Sequence, residues 1–460
     1  MCKSAYIFRH LARVVVEADT PIKISTGTKD FITDAPVLLD INGLPYIPGT
    51  SLAGVFRRLF EKDQADSVFG VQDKEEAAGS RIIISDAILC DEQCVPIEAP
   101  VLKENRSDFV KEYEALPIRQ HVKINSKGVS ARACKFDEQI VFKGSRFCFE
   151  ITLIAKDAEE KQIITNILDA LCQGHVRIGG GTRKGFGQLT VCKAYCKTLK
   201  LSVDDELQSF INKSSSLSDS SFWQNVEPYE PNDSERTDEW AEYKLNLKAK
   251  DLFLFSTGFP SEDGNSNFTP VSEKIISWES DNGKFESWTL IPATSVKGAL
   301  AHRIAYHYNK CKNIGYCYEN GKWLLKSGKT DYSEQENPAV VALFGSVQTK
   351  GKKASRGNVI IKDFFFKTPP TNEHYLNHVV IDPFSGSSNG VGLFTERCLY
   401  TNEDVTLDIR VKKAILEQIP EVKSAFEAAV GDLKEGLLPL GGGVNRGNGI
   451  FIQSEQYENK

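Results

Sequence analysis

Two glycine-rich runs concentrate much of the chemistry in this chain: Gly179–Gly187 reads GGGTRKGFG and Gly441–Gly449 reads GGGVNRGNG. Clustered glycines leave backbone N–H groups unshielded by side chains, so a polyanion can approach them closely. Arg183, Lys184 and Arg446 supply positive charge in the same runs. Neither run ends in the GK[ST] of a P-loop, which disfavours a nucleoside triphosphatase. A purely structural turn is the bland reading. The tetrapeptides Pro48-Gly-Thr-Ser51 and Pro292-Ala-Thr-Ser295 stand where a strand gives way to a helix. Thr50, Ser51, Thr294 and Ser295 can cap that helix, and the same N–H groups can receive a phosphate. Lys297 adds a charge at the second turn, where the first has Ala53.

Asp34 lies in a polar loop before the strand-like Val37–Leu39. It is either a turn former or a carboxylate free for acid–base or metal chemistry. In the second copy the loop is longer, and counting places Ser272 or Glu273 near the same position. The cysteine spacings Cys90-x3-Cys94, Cys192-x3-Cys196 and Cys311-x5-Cys317 give no paired CxxC pattern. Zinc at Cys90 and Cys94 stays open beside buried or idle thiols. His10, His121 and His378 form no HExxH or His-x-His pattern. The last two begin matching strands, which suits structural or RNA-facing roles.

These residues recur in order. Tyr46-Ile-Pro-Gly-Thr-Ser-Leu-Ala-Gly-Val-Phe-Arg-Arg58 returns as Leu290-Ile-Pro-Ala-Thr-Ser-Val-Lys-Gly-Ala-Leu-Ala-His302. Phe69-Gly70 pairs with Phe344-Gly345, Ile83–Asp86 with Ile360–Asp363, and His121–Asn125 with His378–Asp382. The glycine-rich runs complete five collinear matches. The chain therefore reads as a tandem duplication of a domain of about 200 residues. The expected division is 1–203, a Ser/Pro-rich acidic linker at 204–238, and 239–460. That linker reads as a loose loop with Trp223 as its one anchor.

Tyr6–Val16 and Leu189–Cys192 read as the opening and closing strands of the first copy. Leu52, Val55, Phe56, Leu59 and Phe60 share one helical face, leaving Arg57 and Arg58 outside it. Val296, Ala299, Leu300 and Ile304 repeat the pattern, and further helices are expected at Glu159–Leu171 and Lys413–Val430. A βαββαβ arrangement, an α+β ferredoxin-like (RRM-like) fold in each copy, is the most economical assignment. An α/β layout with a parallel sheet is second.

At 460 residues and 41% apolar content, either half can bury a core. No stretch approaches a membrane span and the N-terminus has no signal-peptide layout, so a cytoplasmic location is expected. The odd count of 11 cysteines fits free thiols. The net charge of −6 is uneven: seven net negative charges fall between Ser214 and Tyr243, leaving the remainder near neutral. Two near-neutral domains with local basic clusters suit an RNA partner without demanding one.

The order of acidic loop, Pro-Gly-Thr-Ser-Leu-x-Gly-x-x-Arg helix, Phe-Gly, Ile-Ser-Asp, hairpin region and glycine-rich loop resembles the RAMP superfamily. Within it the chain looks like the backbone subunits of type III CRISPR effector complexes, fused in tandem as in the III-D branch. The resemblance implies two RAMP domains with inserted loops and β-hairpin thumbs, here at about His121–Gln139 and His378–Cys398. It implies a CRISPR guide RNA, a complementary target RNA and other effector subunits as partners. It also implies that Thr50, Ser51, Arg57, Arg183, Lys184, Thr294, Ser295, Lys297 and Arg446 contact RNA. Asp34 matches the residue that cleaves target RNA with a divalent metal such as Mg2+, as general base or metal ligand. Ala53 in place of the family's usual Lys implies a weaker guide contact in the first repeat, and the second repeat is expected to be structural unless Glu273 serves. Two rivals are a purely architectural RNA-binding subunit and an endoribonuclease that processes the guide precursor, for which His10 is the candidate.

Overall fold

The computed structural model describes residues 6–454 except 30–32, 73–76, 126–127, 232–238, 262, 280–281, 315, 320–321, 326–335, 348–352, 368–371 and 389–391. Ile32 of the Asp34 loop, parts of both expected thumbs and the end of the acidic linker lie outside the described residues.

The first sheet grows around β1 (Phe8–Ala18), whose Val14 and Val16 point into the core. α1 (Gly49–Phe56) follows, then β2 (Ile82–Ile84), the hairpin strands β3 (Ile118–Ile124) and β4 (Ser130–Gln139), β5 (Arg146–Ala155), α2 (Lys161–Cys172) and β6 (Leu189–Lys200). The sheet order is β2-β5-β1-β6, all antiparallel. Leu52 and Phe56 of α1 and Ile164 and Ile167 of α2 pack with Phe149 and Ile151 of β5 in one cluster. Both helices therefore cover a single face, as their apolar spacing requires.

The second copy repeats this plan. β7 (Trp240–Ala249) is followed by a long hairpin, β8 (Ser272–Glu279) and β9 (Asn282–Ile291), and by α3 (Ala293–Cys311). Next come β10 (Val359–Ile361), the second hairpin β11 (Glu373–His378) and β12 (Phe394–Leu399), β13 (Val405–Lys412), α4 (Pro420–Lys434) and β14 (Phe451–Gln453). The order β10-β13-β7-β14 matches the first sheet strand for strand. Each copy is thus a ferredoxin-like α+β unit. The parallel alternative fails because every pair of named strands is antiparallel. The helix expected over 413–430 is broken into Lys413–Gln418 and Pro420–Lys434. Pro420 lacks the N–H an interior turn needs and is tolerated only at a helix start.

The β8–β9 hairpin leans on the first domain. Phe285 sits 5.0 Å from Phe109 and 4.9 Å from Phe142, ring centre to ring centre, and Trp278 donates to the Gly144 carbonyl at 2.7 Å. Such aromatic pairs add about 0.5–1.5 kcal/mol each beyond their buried area. At the same junction Arg119 of β3 grips Glu273 through two bonds of 2.8 and 3.0 Å and reaches Asp363 at 2.6 Å.

The acidic linker is not a loose loop over 204–231. A helix at Asp204–Ile211 and a turn at Ser221–Trp223 fold back over the face of the first sheet left bare by α1 and α2. Trp223 is buried with Leu11 and Leu199, and its Nε1 donates to Glu150 at 3.2 Å. Arg13 donates to the carbonyls of Ser216 and Asp219. Ser/Asp composition reports solvated side chains, and a few apolar anchors outweigh it where an uncovered sheet face is available. Among the described residues, no helix is long and apolar enough to cross a membrane.

Candidate nucleic-acid interface

The foot of each β3–β4-type hairpin carries the same four-residue cluster. In the first copy the His121 ring stacks on Phe136 at 4.9 Å, with Nε2 at 2.7 Å from Glu138. Lys184 of the glycine-rich run donates to Glu138 at 3.1 Å and lies 4.9 Å over the Phe136 ring. Lys23 also donates to Glu138. In the second copy His378 stacks on Phe394 at 4.6 Å with Nε2 at 3.0 Å from Glu396. Arg446 pairs with Glu396 and stands 5.7 Å from the Phe394 ring. Burial alone would raise the Glu138 carboxyl, but His121, Lys184 and Lys23 outweigh it and hold it well below the usual carboxylate range. The cluster ties hairpin to glycine-rich turn. Lys184 and Arg446 are therefore drawn onto carboxylates, Glu138 and Glu396, which close the matching triplets Phe136-Asp-Glu138 and Phe394-Thr-Glu396 of the two hairpins.

Asp34 sits against β4, half-exposed. Its N–H donates to Asp137 Oδ1 at 2.8 Å, and the Asp137 N–H reaches back to its Oδ2 at 3.4 Å. Lys29 donates to Oδ1 at 2.6 Å. The Lys29 bond, then the Asp137 N–H, lower the Asp34 carboxyl below its ordinary value, so it is charged at neutral pH.

The equivalent place in the second copy belongs to Asn267, not to Ser272 or Glu273. Leu38 N–H donates to Ile24 O at 2.8 Å, and Val271 N–H to Phe255 O at 2.7 Å, which fixes the register of the two loops. Asp34 and Asn267 each lie four residues before that bond. Asn267 donates its N–H to the Thr395 carbonyl and accepts the Thr395 N–H on Oδ1, both at 2.8 Å. Thr395 is the counterpart of Asp137. Glu273 is instead buried against Arg119. A signal was present in Ser25-Thr-Gly27 and Ser256-Thr-Gly258, which open both loops, but the loops differ in length and forward counting loses the register.

The helix N-termini use partners from elsewhere in the chain. Neither Thr50, Ser51, Thr294 nor Ser295 caps its helix by a side-chain bond. Asp86 accepts the Gly49 N–H at 2.7 Å and Asp363 accepts the Ala293 N–H at 2.8 Å. Those aspartates end the repeated Ile-Ser-Asp and Ile-Lys-Asp motifs, so the cap comes from the strand following the helix. Asp363 also binds Arg119, and it links the first hairpin to the second helix. Burial works against the Arg119 charge, yet Asp363 and Glu273 raise its pKa.

Thr294 and Ser295 line a cleft of about 580 Å³ between α3, the Gly441–Gly442 turn and residues 120–124 of the first hairpin. Lys297 lies one turn on, 5.5 Å over the Phe344 ring. Burial first, then Lys184 and Arg183, lower its pKa. These three cations, expected to touch RNA, thus gather from both domains. Gly185, at φ +95°, shows why the run needs glycine: a Cβ there would come within 2.5 Å of the Ile361 carbonyl in the second domain. Its counterpart Gly447, at φ +94°, faces open space. The first run is thus a close-packing device as well as a basic turn.

Arg57 is turned onto the protein, donating to the Gly70 carbonyl at 2.6 Å and to Asp66. His10 is 1% exposed, with its ring nitrogens on Thr198 Oγ1 at 2.9 Å and the Asp157 carbonyl at 3.1 Å. Cys94 is drawn down to about 6 by a hydrogen bond with buried Cys90 and by Arg146, against burial. Among the described residues, no three His, Cys, Asp or Glu side chains converge as a metal site. Cys90 and Cys94 therefore find no third zinc ligand there. Asp34 and Asp137 each accept the other's backbone N–H, so two acidic residues meet here, a donor set compatible with Mg2+ held by one or two carboxylates and completed by substrate phosphate.

The family model of the RAMP superfamily matches residues 15–190 and 289–452, once on each copy. The chain belongs to the RAMP superfamily. A curated relative named CRISPR system Cms endoribonuclease Csm3, from Methanocaldococcus jannaschii, is 26% identical over 212 residues. The match spans 79% of that protein and 40% of this chain, in keeping with two RAMP units joined here in one polypeptide.

Proposed function

We propose that this RAMP protein is a guide-RNA-binding backbone subunit of a type III CRISPR effector complex. In this reading it cleaves complementary target RNA at its first repeat, through Asp34. The observation that carries the proposal is the asymmetry within the duplicated frame: a charged carboxylate at the foot of the first hairpin and an amide at the foot of the second. The likeness to Csm3, named an endoribonuclease of a CRISPR system, supports the same reading.

Guide phosphates would lie along the Thr-Ser helix starts and glycine-rich turns, near Lys184, Lys297 and Arg446. The hairpins would interrupt stacking in the guide–target duplex, freeing a target nucleotide to bring its 2′-oxygen in line with phosphorus. Asp34, held low by Lys29, is a weak base and is better suited to orient the 2′-hydroxyl or to hold a cation than to abstract a proton. A divalent cation bound by Asp34 and Asp137 would supply electrophilic stabilisation of the phosphoryl oxygens. Lys29, 2.6 Å from Asp34, holds that carboxylate in place.

Asp34→Ala in the assembled complex should abolish cutting of a guide-complementary RNA and leave its binding intact; undiminished cutting refutes the role. The same variant separates this reading from a purely architectural subunit, which would show no dependence on Asp34. The precursor-processing alternative gains nothing from His10, whose ring is enclosed and engaged at both nitrogens.

A further inference from the structure

A second cleft, of about 490 Å³, opens at the domain junction and shares no lining residue with the hairpin cleft. Arg58, Arg177 and Arg183 enter it from the first domain, and Arg356, Arg410 and Lys412 from the second. Glu239 is the acid in its lining. Arg410 is paired to Glu242 at 2.7 Å, and Lys412 to Glu239 at 3.7 Å. Among the described residues, no carboxylate lies within ion-pair distance of Arg58, Arg177, Arg183 or Arg356.

Neutral groups hold three of these arginines instead. Arg177 donates to the Gly185 carbonyl at 2.9 Å and to Gln188 Oε1 at 2.7 Å. Arg183 lies 4.9 Å over the Trp240 ring, with its Nε buried and without a partner. Arg356 crosses the junction to Thr182 Oγ1 at 3.3 Å. Burial first, then Arg410 beside Arg177 and Arg356 beside Arg183, presses both down to about 10, with Asp19 and Asp408 opposing the shift at Arg177. Guanidinium groups gathered against their own repulsion and fixed by neutral acceptors are preorganised for an anion with several phosphates.

We propose that this cleft seats phosphate groups of an RNA strand passing from the first domain to the second, as a track separate from the hairpin cleft. The inference rests on the proposed RNA-binding function and adds a place and a set of residues to it. Contacts to phosphate position a strand and carry no base identity, so this cleft reads charge.

The test uses the full chain and a fluorescently labelled single-stranded RNA, followed by anisotropy across a potassium chloride series. Arg58→Gln with Arg356→Gln removes two exposed cations without disturbing a buried group. Binding should weaken about tenfold, and the salt slope should shrink by about 1.4, or about 0.7 for each phosphate left without its arginine. Equal affinity and slope in variant and wild type overturn this inference alone. Failure of the wild-type chain to bind RNA overturns the proposed function and this track with it. Tripolyphosphate is the small-anion arm. If it binds the wild type, fails on the variant and RNA binding is unchanged, the cleft holds a free phosphorylated molecule and the RNA assignment is overturned.

Discussion

Asn267 occupies in the second repeat the place that Asp34 occupies in the first, each accepting a backbone N–H from the facing hairpin strand through a side-chain oxygen. The amide keeps the hydrogen bond and removes the charge. The frame around it is retained, with His378, Phe394 and Glu396 repeating His121, Phe136 and Glu138. Asn267→Asp should therefore add a second cut to the target RNA of the assembled complex, read as a new product length on a denaturing gel. Combined with Asp34→Ala, it should leave only the new cut. A product pattern unchanged by Asn267→Asp would show that the second repeat lacks more than a carboxylate.

Arg119 faces two carboxylates, and one of them, Glu273, is enclosed at the domain junction. Arg119→Met should destabilise the protein by about 3–5 kcal/mol, because buried charge is left uncompensated. Glu273→Gln in the same chain should recover part of that loss. Urea denaturation monitored by tryptophan fluorescence checks both, since Trp278 lies on the hairpin that the pair secures. An unchanged midpoint in Arg119→Met would show that the aromatic cluster alone holds the junction.

The depressed Glu138 carboxyl makes stability depend on pH in a defined sense. A carboxyl lowered in the folded state stabilises the protein above its unfolded pKa of about 4.3. That contribution is lost as acidification protonates it. Wild type should lose stability as the pH falls below the ordinary carboxylate range, and Glu138→Gln should show a shallower fall over the same interval. Denaturation midpoints between pH 6 and 3 provide the comparison, and parallel curves would contradict it.

Lys297 should show effects of opposite sign on folding and binding. Its lowered pKa means that the charged form is disfavoured in the fold, by burial and by Lys184 and Arg183. Lys297→Met removes that strain, and the melting temperature should rise by about 2–4 °C for each kcal/mol relieved. RNA affinity should fall at the same time, with a smaller salt slope. A lower melting temperature would show that the lysine is stabilising where it stands.

Trp223 anchors the folded-back segment on the first sheet. Trp223→Ala should cost about 3–5 kcal/mol and expose residues 204–231 to limited proteolysis. Resistance equal to wild type would mean that Arg13, bonded to the Ser216 and Asp219 carbonyls, suffices to hold the segment.

The duplicated plan was readable in the chain because strands and helices are set by local spacing. The apolar face of Leu52 and Phe56 and its copy at Val296 and Leu300 predicted both first helices. The loop that carries Asp34 and the glycine-rich turns stand out in the sequence through the motifs around them. The β8–β9 hairpin was not, since its apolar residues serve a surface belonging to the other domain. The folded-back linker escaped for a related reason: its few anchors are meaningful only against Leu11 and Leu199.

Sequence alone determined that one α+β unit occurs twice, with a basic glycine-rich turn, a helix start and a hairpin in each. Tertiary structure decided which residues meet. It gave Glu273 to Arg119, assigned the helix caps to Asp86 and Asp363, put Asn267 opposite Thr395 and drew arginines from both domains into one cleft. Periodicity is a property of neighbours along the chain, whereas pairing of charges depends on which distant segments share a space too small to hydrate them separately.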